Sequence, residues 1–397
     1  MMDACQRTGV LALSDGTVFV GIGVGAVGRV AGELCFQTAM SGYQEILSDP
    51  SYNGQIVTFT FPHIGNVGVN DEDDESGHYA SGMVSACPLT PPSNYRSRSS
   101  LAAWLTGRGI VGVSDIDTRA VTHRLREHGC MNAVVCHRPE GIDADTIALV
   151  RAQAREHPSM DGLRLDQNVT CASPYGWSQG LWQGNRAGGG NDCADEKRPL
   201  VVVVDYGVKR SVLRTLYESG AGVRVVPSSF SCEEILALQP RGVLLSNGPG
   251  DPRSTYPHAK AMLRGLLDSR VPMLGICLGH QLLALALGAR VIKMRFGHHG
   301  GNQPVCSLGD GHIDITSQNH GFAVVEDGLP EHVQVTHRSL FDGSVEGLQV
   351  RGQDVCSVQY HPEAGPGPVD ARFIIKDFVA TLTAQKANGP NNATSKE

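Results

Sequence analysis

The chain has 397 residues, and since a domain usually holds about 100–200 residues, we expect two domains. A hydrophobic content of 41% is enough for two ordinary cores, and a net charge of −7 without any run of lysine or arginine argues against nucleic-acid binding. The apolar stretches stay well short of the ~18 residues that a membrane-spanning helix needs, so we predict no membrane segment.

The first part of the chain predicts a mixed α/β domain over residues 1–158. Val10–Leu13 and Thr17–Val20 flank Asp15-Gly16, a dipeptide typical of the turn of a β-hairpin. Farther along, the sequence predicts a strand and two helices at Ile110–Val113, Asp115–His128 and Asp143–His157.

Two segments predict little regular structure. Residues 159–198 are irregular, and Gly184–Asp195 is rich in glycine and polar residues, so we predict a linker region there. Residues 387–397 are polar and predict a disordered tail.

From Pro199 the pattern changes to strands that alternate with helices. Leu200–Val204 is a continuous apolar run, which is typical of a strand covered on both faces. The alternation indicates βαβ units and a doubly wound, mostly parallel sheet over residues 199–386. After the first strand, the elements are predicted at Lys209–Ser219 (helix), Val223–Val226 (strand), Ser231–Leu238 (helix), Gly242–Leu245 (strand), Tyr256–Ser269 (helix), Pro272–Ile276 (strand) and His280–Leu287 (helix).

A candidate nucleophile, Cys277, lies where the last of these strands meets its helix. Gly275 and Gly279 stand two residues to either side, and small residues at this spacing permit the sharp turn of a nucleophile elbow. Such a turn lifts the thiol out of the sheet, next to a helix N-terminus that stabilises a thiolate. The backbone N–H of Leu278 would then face a tetrahedral oxyanion. A buried, unreactive thiol is the alternative, and we favour it for the other ten cysteines.

A thiol nucleophile needs a base that can also protonate the leaving amine, and histidine can do both. His361 follows the strand-like run Val355–Gln359, and Glu363 lies two residues beyond, where its carboxylate could orient the imidazole. Alone, the His-Pro-Glu turn would favour an ordinary surface loop. Its combination with the cysteine motif favours a catalytic role, although the sequence does not show that the two segments meet.

Two further motifs are candidate binding sites. The loop Ser246–Pro252 follows a predicted parallel strand, and its glycines, Gly248 and Gly250, would let a ligand approach the backbone at the carboxyl edge of the sheet. His298 and His299 are adjacent in a predicted β-rich region, so their side chains should face opposite ways, and we predict no metal site.

The cysteines bear on the compartment. Eleven of them are scattered without any CxxC pair, which favours reduced thiols, and the first residues lack the pattern of a secretory signal. We therefore predict a cytoplasmic protein.

Together, these motifs resemble the class I (triad-type) glutamine amidotransferases. Gly275–Gln281 (GICLGHQ) is similar to that family's nucleophile signature, Gln359–Glu363 (QYHPE) to its His/Glu signature, and Pro249–Pro252 to its oxyanion-side loop. The resemblance covers about residues 199–385. It implies Cys277 as nucleophile, His361 as acid and base, and Glu363 as its orienting partner.

Other segments resemble the carbamoyl-phosphate synthase small-subunit family: Ser41–Asp71, Asp115–Gly129, Phe296–Val305 and Gln318–Val324. Gln303 departs from it, since many relatives would have histidine there. The resemblance implies that Leu278 and Gly248 supply oxyanion N–H groups. It also implies that L-glutamine is held by Ser51, Gly250, Gln281, Asn319, Gly321 and Phe322, with the site at the domain interface.

The same resemblance implies a larger partner subunit that receives ammonia. The chain has no G-x-x-x-x-G-K-[ST] loop, so ATP, magnesium and bicarbonate should bind the large subunit, with no cofactor on this chain. The alternatives are a glutaminase subunit of another synthase, a catalytically inactive regulatory subunit, and a cysteine hydrolase that needs no partner. The sequence leaves open whether the product would serve arginine synthesis, pyrimidine synthesis or both.

Overall fold

A computed structural model describes residues 7–184 and 198–387. The N-terminal domain is a closed barrel in which the strands follow the order β1-β2-β6-β5-β4-β3-β7. Its strands are β1 (Gly9–Leu13), β2 (Val18–Gly25), β3 (Gly28–Gln37), β4 (Gln55–Phe59), β5 (Gly82–Val84), β6 (Val111–Ser114) and β7 (Met131–His137). Its helices are α1 (Tyr43–Ser48), α2 (Leu101–Arg108), α3 (Thr118–His128) and α4 (Ala144–Glu156).

The predicted hairpin is confirmed, because β1 and β2 pair antiparallel around Asp15-Gly16. Helix α3 begins three residues later than predicted, since the side chain of Asp117 caps it by accepting a hydrogen bond from the N–H of Ala120. Asp143 caps α4 in the same way, through the N–H of Thr146.

The second domain is built on a ten-stranded sheet in the order β14-β13-β15-β16-β17-β12-β11-β9-β10-β8. Its strands are β8 (Tyr175–Trp177), β9 (Leu200–Asp205), β10 (Gly222–Pro227), β11 (Gly242–Leu245), β12 (Met273–Ile276), β13 (Arg290–Ser307), β14 (Ile313–Val325), β15 (Val333–Ser339), β16 (Val345–Val350) and β17 (Val355–Val358). Its helices are α5 (Arg210–Glu218), α6 (Cys232–Ala237), α7 (Pro252–Ser269), α8 (Leu278–Ala286) and α9 (Phe373–Ala387).

The core of this domain lies on both faces of its parallel strands. β10, β9, β11, β12 and β17 pair in parallel, whereas β13 to β16 form antiparallel pairs. Along β9, Val202 and Val204 pack in one core with α6, α7 and α8, while Val201 and Val203 pack in another with α5 and α9. Burial on both faces explains the continuous apolar run in the sequence. The predicted doubly wound architecture is confirmed.

Two differences from the sequence predictions concern the site. Helix α7 begins at Pro252, four residues before the predicted start, because Asp251 caps it and proline suits its first turn. Within the predicted linker, β8 pairs antiparallel with β10 and so joins the second sheet. The glycine-rich residues 185–197 and the tail 388–397 lie outside the described residues.

The secondary structure also bears on membranes. Across residues 7–184 and 198–387, none of the helices combines the length and the apolar character required to span a bilayer.

Candidate active site

The turn at Cys277 has the strained geometry of a nucleophile elbow. Cys277 has φ 51° and ψ −103°, a conformation that non-glycine residues rarely adopt. A Cβ on Gly279 would lie 2.2 Å from the carbonyl oxygen of Leu245, and one on Gly275 would lie 2.9 Å from the backbone of Gly279. Both glycines are therefore required by close backbone packing around the turn.

Parallel pairing of β12 with β17 brings the two candidate catalytic segments to one edge of the sheet. Ile276 is in register with Val358, and the N–H of Cys277 donates to the carbonyl of Val358 at 3.0 Å. The chain then bends so that the N–H of His361 donates to the carbonyl of Ser317 at 2.9 Å. Cys277 and His361 are 84 positions apart in the sequence (361 − 277), and the fold places them side by side.

His361 and Glu363 form a buried pair. Nδ1 of His361 lies 2.7 Å from Oε1 of Glu363, and the two side chains are 2% and 0% exposed. Burial by itself would lower the pKa of His361, but the Glu363 carboxylate outweighs it, and the pKa rises to about 10. For comparison, burial lowers the pKa of His280 to about 3 and that of His299 to about 4. Their hydrogen bonds go to Ser357 and Asn319, not to a carboxylate.

Lys209 contacts the same carboxylate oxygen of Glu363 as His361 does. Its Nζ lies 2.9 Å from Oε1 of Glu363 and donates to the carbonyl of Ala364 at 2.7 Å, and the residue is only 1% exposed. Burial alone would raise the pKa of Glu363, but Lys209 and His361 together lower it to about 2. No sequence motif marks Lys209, because only the fold brings it to a carboxylate 154 positions (363 − 209) farther along the chain.

The thiol and the imidazole are poised without a well-formed hydrogen bond. Among the described residues, Nε2 of His361 has no hydrogen-bond partner, and Sγ of Cys277 lies 3.6 Å from the carbonyl oxygen of Asn319. The Cys277 side chain nevertheless lies close enough to His361 to contribute to its raised pKa. Catalytic hydrogen bonds are often long before substrate binds, so this arrangement suits a nucleophile and its acid–base partner.

A cavity that opens to solvent lies against the thiol. It brings together most of the residues predicted to bind substrate: Ser51, Gly248, Gly250, Gln281, Asn319, Gly321 and Phe322. Leu278 is the first residue of α8, where N–H groups have no partner within the helix. Glu33, Gln55 and Met160 also line the cavity. These three were not among the predicted site residues, because no local sequence motif marks them.

The N-terminal domain closes one side of this cavity. Oγ of Ser51 accepts a hydrogen bond from Nδ2 of Asn247 at 2.9 Å, across 196 positions of the chain. A second hydrogen bond, 2.8 Å long, joins the N–H of Ser51 to Oδ1 of Asp49 and fixes the turn that carries it. The N-terminal domain therefore borders the cavity, and a substrate site between the domains stays a prediction.

A histidine cluster lies beside the cavity. Within the described part of the chain, the ligand-type atoms of His298, His320 and Glu346 lie within 4.8 Å of one another. Gln318 links them, since its Oε1 is 2.9 Å from Nδ1 of His298 and its Nε2 donates to Glu346 at 3.0 Å. Nε2 of His298 also lies 2.9 Å from Asp342. These hydrogen bonds join β13, β14 and β16, and the absence of a metal stays a prediction.

Comparisons with known proteins agree with these motifs. A family model for glutamine amidotransferase class-I matches residues 202–381, and one for the carbamoyl-phosphate synthase small chain, CPSase domain, matches residues 11–135. Carbamoyl phosphate synthase small chains from Ruegeria pomeroyi and Caulobacter vibrioides are 50% and 48% identical over 384 residues, covering 96% of this chain and 98% of theirs. That from Rhizobium meliloti is 49% identical over 389 residues and covers 96% of both chains. The chain therefore belongs to the carbamoyl phosphate synthase small-chain family and carries a class I glutamine amidotransferase domain.

Proposed function

We propose that this chain hydrolyses L-glutamine to glutamate and ammonia for a larger synthase subunit. The observation that carries the proposal is the strained Cys277 turn, which shares one sheet edge with the buried pair His361 and Glu363 beside a cavity. Thiolates are stabilised by helix N-termini and by imidazolium groups, and both lie at this cysteine.

In the first half-reaction, the Cys277 thiolate attacks the side-chain carbonyl carbon of glutamine. The N–H groups of Leu278 and Gly248 would hold the oxyanion. Because His361 is an imidazolium at neutral pH, it can give its proton to the departing nitrogen as the C–N bond breaks. Ammonia leaves, and a glutamyl thioester remains on Cys277.

In the second half-reaction, His361 is neutral and can act as a base. It takes a proton from water as the water oxygen attacks the thioester carbon. The C–S bond then breaks, glutamate leaves, and the thiolate and imidazolium are restored. Glu363 stays ionised throughout, since its pKa is lowered to about 2, and keeps the imidazole oriented.

The fate of ammonia supports a partner. Free ammonia would be protonated at neutral pH and would lose its nucleophilicity, so delivery to a second site within a complex avoids that loss. We propose that a large subunit binds ATP, magnesium and bicarbonate and forms carbamoyl phosphate. The nine cysteines in the described ranges are free thiols, which fits the cytoplasm as the compartment we propose.

The test is to trap the thioester. The purified chain, mixed with glutamine and quenched in acid, should gain a glutamyl adduct on Cys277 in peptide mass spectrometry. Cys277→Ser should lose this adduct and glutamine-dependent synthesis, while the complex keeps ammonia-dependent synthesis. An adduct on another cysteine, or loss of both syntheses in a folded complex, would contradict the proposal.

A further inference from the structure

The wall of the glutamine cavity contains a carboxylate that the proposed mechanism does not use. Among the described residues that line the cavity, Glu33 is the one with a carboxylate. It lies on β3 in register with Gln55 of β4, and both side chains reach the cavity from the N-terminal barrel. The two residues are 5% and 7% exposed, so the carboxylate is withdrawn from bulk water.

A buried carboxylate is costly unless it is paired, and Glu33 has a partner from the other domain. Nζ of Lys293, on β13, forms an ion pair with Oε2 of Glu33. The Lys293 ammonium also lies 5.9 Å from the ring centroid of Phe322, which lines the cavity. Lys293 therefore holds the ionised carboxylate of Glu33 in place beside the cavity.

The substrate supplies a reason for this charge. Glutamine reacts at its side-chain amide, but its other end carries an ammonium and a carboxylate. Apart from the Cys277 thiolate, which attacks the amide at the reacting end, the other lining groups with side-chain polar atoms, Ser51, Gln281 and Asn319 among them, are uncharged. His320 also lines the cavity, but burial lowers its pKa well below 6.5, so it is neutral at pH 7. An ammonium group in this cavity would find its ionic partner in Glu33.

We propose that Glu33 is a specificity-determining residue that accepts the α-ammonium group of glutamine, and that Lys293 is the positioning residue that holds it. This inference rests on the proposed glutaminase function. It assigns to the N-terminal barrel the selection of an α-amino acid over other primary amides. The second domain supplies the groups that react with the amide carbon, and the N-terminal barrel supplies the group that recognises the ammonium.

The test compares glutamine with glutarate monoamide, which keeps the amide and the carboxylate but lacks the α-amino group. In the complex with Glu33→Gln, the KM for glutamine should rise by roughly 10- to 100-fold, the range for a lost charge-assisted hydrogen bond, with kcat nearly unchanged. The kcat/KM for glutarate monoamide should change by less than about threefold, because that contact was never made. Lys293→Met should shift the two substrates in the same unequal way.

A purely structural role for Glu33 would reduce kcat/KM equally for both amides, and that result would overturn the inference. The wild-type complex gives a test that needs no variant, because its KM for glutarate monoamide should exceed that for glutamine by about tenfold or more. Equal KM values would also overturn it. Asp327→Asn removes an exposed ion pair to Arg290 on the same strand as Lys293 and should leave both substrates unaffected. A wild-type complex that forms no glutamyl adduct and hydrolyses neither amide would instead refute the glutaminase function.

Discussion

Replacing Glu363 by glutamine tests the charge that sets the protonation state of His361. The substitution keeps the shape and an oxygen for Nδ1, which now lies 2.7 Å from the carboxylate, but removes the negative charge. Burial would then be left to act alone, as it does at His280 and His299, whose pKa values are about 3 and 4. The pKa of His361 should therefore fall by several units from about 10.

The consequence for catalysis has a definite sign. At pH 7.5 the wild-type imidazole is protonated and can protonate the leaving nitrogen, whereas the variant imidazole is neutral. The kcat for glutamine should fall by roughly 10³- to 10⁴-fold, the size of effect seen when a triad carboxylate becomes an amide. The residual activity should rise as the pH is lowered toward 5, because acid restores the imidazolium. Glutamate release measured between pH 5 and pH 9 gives this profile.

Lys209 complicates the experiment and also supplies its control. Without Glu363, its ammonium loses its ion pair and keeps the weaker Coulombic attraction of Glu75 and Asp49, and removing one member of a buried ion pair costs about 3–5 kcal/mol. The double variant Lys209→Met/Glu363→Gln removes the stranded charge and should recover stability without recovering activity. A single variant with near-wild-type kcat and an unchanged pH profile would refute the electrostatic account of His361.

Two further predictions concern the elbow and the stability of the catalytic pair. Gly279→Ala places a Cβ 2.2 Å from a carbonyl oxygen and should lower the free energy of unfolding by at least about 1–3 kcal/mol, with loss of glutamine hydrolysis. Gly107→Ala on the open surface of α2 is the matched control and should stabilise by up to ~1 kcal/mol in urea unfolding. Glu363 contributes stability above pH 4.5 that is lost toward pH 2, and His361 contributes stability below pH 6.5 that is lost toward pH 10. The difference in unfolding free energy between wild type and the double variant should therefore be largest at about pH 5. A difference that does not vary with pH would contradict this electrostatic contribution.

The predictable part of the fold is the part that local pattern determines. The strand Gly242–Leu245 has the predicted bounds, and its neighbours differ by a residue or two, because each apolar run is buried on both faces between amphipathic helices. The closure of the N-terminal barrel was not predicted. Its strand β3 pairs with β4 and with β7, and β7 lies about a hundred residues away along the chain, a partnership that periodicity does not encode.

The candidate site also contains residues that local motifs predict and residues that only tertiary contacts identify. Cys277, His361 and Glu363 were found because the elbow and the His-x-Glu spacing are local motifs with a chemical reason. Glu33 and Lys209 were not found, since each is an ordinary charged residue whose role depends on what the fold places beside it. Both side chains are buried and each is paired with an opposite charge. Burial follows from the three-dimensional structure and cannot be read from the sequence.

The charges around Lys209 connect the N-terminal domain to the proposed catalytic groups. Lys209 is buried beside Glu363, and two carboxylates from the N-terminal domain, Glu75 and Asp49, also act to raise its pKa. Glu75 is itself tied to the second domain, because its Oε2 accepts a hydrogen bond from the N–H of Ser211 at 2.9 Å. Lys209 lowers the pKa of Glu363, and Glu363 raises that of His361, so the barrel influences the proton that the reaction needs. Separating the two domains would therefore remove the carboxylates that help to keep Lys209 charged, in addition to removing Ser51 and Glu33 from the substrate cavity.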